Sequence, residues 1–101
     1  MELVRHYNSM PVRIIRRPEI TLFSAYDIAT CLELEDKRRE VNKAVINADT
    51  SYVDYLGWGN DWIIFVNEPV IRQLVFRADW EVAKQFIKWL VEINYEQLTL
   101  F

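Results

Sequence analysis

Two groups of cations stand out in this chain. Arg13, Arg16 and Arg17 crowd one short segment, and Lys37, Arg38, Arg39 and Lys43 crowd another. Guanidinium and ammonium groups spaced this closely can follow the phosphates of a duplex. Arg13, Arg16, Arg17, Arg38, Arg39 and Lys43 are therefore the candidate nucleic-acid contacts. Glu33, Glu35, Asp36 and Glu40 interleave with the second group, and local pairing with them would weaken its field. A different signal comes from Trp58, which lies between Gly57 and Gly59. An aromatic ring at a hairpin tip has few core neighbours and can anchor a partner, unless it folds back onto Trp62.

Covalent chemistry is poorly provided for. There is no glycine-rich phosphate loop and no paired-cysteine motif, and His6 is the only residue whose ordinary pKa lies near neutrality. Asp27 and Glu68 each fall in the first turn of an expected helix, where capping and the helix dipole account for an acid without any reaction. Cys31 lies on an apolar stripe with no second cysteine or adjacent base, as a small buried residue would. One His and one Cys fall short of the roughly four ligands of a structural zinc site. The expectation is a protein without catalytic residues, bound metal or cofactor.

The elements that must position these residues are short and mixed. Val12, Ile14 and Ile15, then Ile20, Leu22 and Phe23, flank Arg16-Arg17-Pro18-Glu19 as a first hairpin. Ser24 opens a helix that the apolar spacing carries to about Leu34, with Asp27 in its first turn. A second helix follows from Asp36 through Ala48, with Val41, Ala44, Val45 and Ala48 inward. Tyr52–Leu56 and Trp62–Val66 form a second hairpin around Gly57, Gly59, Asn60 and Asp61. Asn67 and Asp79 then cap two more helices. The last of these carries Val82, Ala83, Phe86, Leu90 and Ile93 on one side, while Ile87, Trp89 and Val91 widen its apolar arc. Such an arc asks for burial on two sides, or for a second copy as in a homodimer.

With 101 residues, 51% of them hydrophobic, the chain can fill one core without disulfides. The reading is α+β: a small single domain with two short β-hairpins and about four helices over residues 1–96, followed by an apolar tail over 97–101. A formal charge of -3 excludes a protein that grips nucleic acid with its whole surface, so any basic face must be local. Residues 1–18 carry four arginines against Glu2 alone, whereas acids outnumber bases over the rest. A single cysteine fits a reducing compartment. No apolar run approaches the roughly 18 residues of a membrane span, so a soluble cytoplasmic protein with no membrane partner is expected.

In order, the chain presents an opening hairpin, Phe23-Ser-Ala-Tyr-Asp-Ile-Ala-Thr-Cys-Leu32, Val66-Asn-Glu68, Leu74-Val-Phe-Arg77 and Ala83-Lys-Gln-Phe-Ile-Lys-Trp-Leu90. This succession, over about residues 12 to 93, resembles the BRO N-terminal (Bro-N) domain family of phage antirepressors and large DNA virus proteins. The resemblance implies a viral or prophage origin, an α+β fold without enzymatic activity, action in the cytoplasm of the host cell, and DNA binding in transcription control. Duplex DNA is then the expected partner. The C-terminal Gln97-Leu98-Thr99-Leu100-Phe101 is similar to the short peptide with which bacterial replication proteins dock into the sliding clamp. There Leu98, Leu100 and Phe101 would fill an apolar cleft and Gln97 would orient the peptide. This supports an alternative: a small acidic inhibitor or adaptor that holds a host protein, either the clamp or a defence complex such as CRISPR, through Trp58 or these terminal residues.

Overall fold

Leu3, Arg5 and Tyr7 alternate with Glu2, Val4 and His6, and this period of two forms an edge strand, β1 (Glu2–Tyr7), that lies outside the two expected hairpins. Glu2, Arg5 and His6 interrupt its apolar residues and hide it from a hydrophobic scan. In the computed structural model, which describes the backbone of residues 1–99 and the side chains of residues 1–96, β1 pairs antiparallel with β2 (Met10–Arg16). Asn8 and Ser9 make the two-residue turn at φ 48° and 67°. Positive φ at both central positions matches the right-handed twist of paired strands, and Asn tolerates it better than most residues.

β3 (Thr21–Ser24) flanks β2 on its other side, so that Ile14 faces Phe23 and Ile15 faces Leu22. β4 (Val53–Trp58) and β5 (Asp61–Val66) form the second hairpin, with Gly59 at φ 61° at the first turn position, where a type II′ turn takes glycine. β5 joins β3, completing one antiparallel sheet in the order β1-β2-β3-β5-β4. The two hairpins thus share a single sheet.

Four helices follow the expected order: α1 (Ala25–Cys31), α2 (Lys37–Asn47), α3 (Glu68–Phe76) and α4 (Trp80–Thr99). α1 ends one turn earlier than the apolar spacing predicts. The Glu33 N–H donates to the Thr30 carbonyl and the Leu34 N–H to the Ala29 carbonyl, with Glu33 at φ 58°. These two bonds and the left-handed residue between them are a Schellman stop. Leu34 then returns to the core as its apolar clasp, so an inward residue can lie beyond the helix end.

The main core lies between the sheet and the helices. Val12, Ile14, Phe23, Ile64 and Val66 meet Ile28, Val41, Ile71, Leu74 and Phe86 there. Tyr7 packs edge-on against Phe86 and Trp89, at ring separations of 5.4 and 5.8 Å, and the Trp89 Nε1–H donates to the His6 carbonyl at 3.0 Å. These contacts seat α4 over β1. A smaller cluster of Ile15, Leu22, Ile63 and Phe65 occupies the opposite face of the sheet, where Ile20, Leu56 and Trp58 cover it.

Glu33 holds a conformation that costs an L-residue roughly 1 kcal/mol and glycine almost nothing. Glu33→Gly should therefore raise the thermal midpoint by about 4–8 °C, measured by circular dichroism, for a domain of this size.

Candidate nucleic-acid interface

The geometry of α2 follows from its composition. Val41 and Ala44 turn inward, and the helix packs on α1 and α3. The first turn is held by Asp36, whose carboxylate accepts the Arg39 N–H at 3.2 Å. Glu40 is drawn to Arg77, beyond the C-terminal end of α3, at 3.3 Å. Glu40 is thus drawn away, and the cations of α2 are left on its outward face with Asp36 among them. Asp36, Arg38, Arg39, Asn42, Lys43 and Ile46 line one shallow trough there. Arg38, Asn42 and Ile46 are spaced by four, and Ile46 is 80% exposed despite its apolar side chain.

The arginines of the first cluster have been separated by the fold. Arg13 donates from Nε and Nη2 to the two carboxylate oxygens of Asp27, each at 2.8 Å, and its backbone N–H donates to the same group at 3.0 Å. This fork-to-fork pair ties β2 to α1, and it neutralises both charges. Arg16 is 6% exposed, under the end of α4, where it lies 3.8 Å from Glu96 and makes a long bond to the Ile93 carbonyl. Burial takes Arg16 out of reach of a duplex phosphate, which corrects its assignment as a contact. Arg17 remains at the surface, where Nη1 donates to the Tyr52 hydroxyl at 3.3 Å. The hairpin therefore brings no arginine cluster together.

Trp58 is also displaced from its expected role. It is half-buried against Phe65, at a ring separation of 6.0 Å, because the second face of the sheet needs a cover and no helix supplies one. Neither a free anchor nor a stack on Trp62 results. Trp62 is the exposed residue, at 78%, and it lines a hollow with Tyr26, Tyr55 and Arg13. Strand parity explains the exchange, since Trp62 lies opposite Gly57 while Trp58 lies opposite Asp61. Backbone hydrogen bonding carries α4 through Gln97, Leu98 and Thr99, so the terminal segment begins as helix. The side chains of Gln97 and Leu98, and Leu100 and Phe101 altogether, lie outside the described residues.

The remaining reactive groups have structural tasks. Burial pushes the Cys31 thiol up to about 12, which leaves it protonated and unreactive. The Asn67 side chain does not cap α3 but crosses to the preceding loop, accepting the Tyr52 N–H and donating to the Thr50 carbonyl. Among the described residues, no group of His, Cys, Asp or Glu is placed to hold a metal ion, and no helix is long and apolar enough to cross a membrane. Asn42, Ile46 and Trp62 are the surface residues that the sequence reading missed. The four-residue spacing from Arg38 would have found the first two.

The N-terminal domain of the BRO family matches residues 11–96, which takes in β2 and the elements after it as far as the last turn of α4. The chain belongs to this family. No curated protein and no solved structure matches it significantly. Within this Bro-N domain, β1 and its turn lie outside the matched span, whereas α2 and its outward face lie inside it.

Two outcomes follow from the clamp beneath α4. Among the described residues Arg16 Nε and Nη1 have no hydrogen-bond partner, and Arg5 still holds Glu96 when Arg16 is replaced, so Arg16→Met should leave the thermal midpoint unchanged or raise it, because an apolar side chain of similar length avoids that desolvation. Arg5 grips Glu96 with its guanidinium and holds that carboxyl below its ordinary value near 4.5. A depressed folded-state pKa stabilises above the ordinary value and ceases to do so as the pH falls through the lowered one. The midpoints of the wild type and of Glu96→Gln should therefore differ at pH 7 and converge as the pH drops below the carboxylate range.

Proposed function

We propose that this Bro-N domain binds duplex DNA through the outward face of α2 and acts in transcription control in the manner of phage antirepressors. The observation that supports this reading is the sorting of charge on α2. Glu40 is engaged in pairing with Arg77, so on the outward face of α2 Arg38, Arg39 and Lys43 outnumber Asp36, a local cationic excess in a protein of net negative charge. Cations flanking Asn42 suit a helix set into a major groove: the guanidinium and ammonium groups meet phosphates, the Asn42 amide can pair with an adenine edge, and Ile46 can contact a thymine methyl. Arg17 adds a fourth phosphate contact on a separate part of the surface. Family membership is consistent with this activity.

A second reading rests on Trp62. An exposed indole beside Tyr26 and Tyr55 is the composition of an anchor for a protein partner, and a host protein held there would give the inhibitor or adaptor role. Trp62→Ala should then abolish capture of that protein while leaving DNA binding intact.

Titration of a labelled duplex pool against the protein tests the first reading. The three α2 contacts give a log-log slope of affinity against salt of about -2.7, and Arg17 brings it to about -3.6. Arg39→Ala or Lys43→Ala should flatten the slope by about 1 each. Asn42→Ala should keep the slope and relax sequence preference by about 1–3 kcal/mol at one base pair. Absence of duplex binding at low ionic strength overturns the reading.

A further inference from the structure

α4 has one face that the domain does not use. Its buried side, Ala83, Phe86, Leu90 and Ile93, meets the core, while Trp80, Ile87, Val91 and Tyr95 are exposed on a neighbouring stripe turned about 120° from it. At 3.6 residues per turn these four lie within about 80° of one another along a helix about 30 Å long. Single exposed apolar residues are ordinary, but a stripe that runs the length of a helix is a contact surface.

Charge along the stripe is asymmetric. Lys84 and Lys88 fall in the first half of the helix, Glu92 and Glu96 in the second. Lys84 holds Glu81 at 3.3 Å and Glu96 is held by Arg5. Neither Lys88 nor Glu92 has an ion-pair partner among the described residues. The dipole does not account for this order, because it acts on the terminal turns, of which the first already carries an acid in Glu81.

We propose that the occupant of this face is a second copy of the chain, packed antiparallel along α4. With the two-fold axis near residue 90, Ile87 and Val91 of one helix alternate along the seam with Val91 and Ile87 of the other, and Lys88 of each copy comes level with Glu92 of its mate. The dipoles of an antiparallel pair also oppose one another. A parallel pair would instead place Lys88 and Glu92 of the two copies on opposite sides of the seam, where they cannot pair. The stripe is thus self-complementary in shape order and in charge, as an isologous interface must be. This inference does not depend on DNA binding, because α2 and α4 present different residues.

Light scattering coupled to size exclusion, over a range of protein concentrations, reads the outcome directly. The wild type should approach twice 12.1 kDa. Val91→Glu should return it to the monomer mass with an unchanged circular dichroism spectrum, since Val91 supports no core contact. Lys88→Glu alone and Glu92→Lys alone should each shift the equilibrium toward monomer, and the Lys88→Glu/Glu92→Lys double variant should recover the dimer. A wild type that stays at the monomer mass at every concentration overturns the proposal, and so does a double variant no more dimeric than the single ones.

Discussion

Ser24 closes a strand and opens a helix at the same position. It stands opposite Phe65 in the ladder between β3 and β5, is fully buried, and accepts the Asp27 N–H at 3.4 Å as the cap of α1. With no loop between strand and helix, the direction of α1 is fixed by the last residue of β3. Asp27, one turn in, reaches back to Arg13 and fills the place on β2 where the ladder with β3 has ended. The corner is therefore fastened from both sides, by a cap and by a two-pronged ion pair. α2 and α3 pack upon α1, so their placement is inherited from this junction. The partial exposure of Arg13 and Asp27 keeps the pair's own contribution modest, and its value lies in geometry.

Charge is the second organising theme. The chain is acidic as a whole, yet the fold assigns its charges one by one. Arg13 meets Asp27, Arg5 and Arg16 converge on Glu96, and Arg77 takes Glu40. What remains unassigned gives the molecule its surface character. The cations of α2 owe their prominence to the pairing of Glu40 with Arg77, and the net charge gives no hint of it.

Much of the architecture was legible in the sequence because it is local. The helix start at Ser24, the glycine turn at Gly59 and the inward stripe of α2 each depend on residues a few positions apart. Pairings over long distance were not legible. β1 finds its meaning only beside β2 and beneath Trp89, and Leu34 looked helical because it is buried, although it enters the core from beyond a helix stop. The site divided in the same way. The cations of α2 were visible as a cluster, whereas the fate of Arg16 depends on the far end of α4, 77 residues along. Trp58 and Trp62 differ by strand parity, and that parity follows from turn register, which composition does not encode.

α2 contributes Val41 and Ala44 to the fully buried core and presents Arg38, Asn42 and Ile46 on its other side. The residues that hold the helix and those it displays are thus separate sets. Substitutions on the displayed set leave packing untouched, so this surface can diverge among descendants of one ancestor while the scaffold beneath stays constant. A small domain built this way can change what it recognises without first acquiring spare stability.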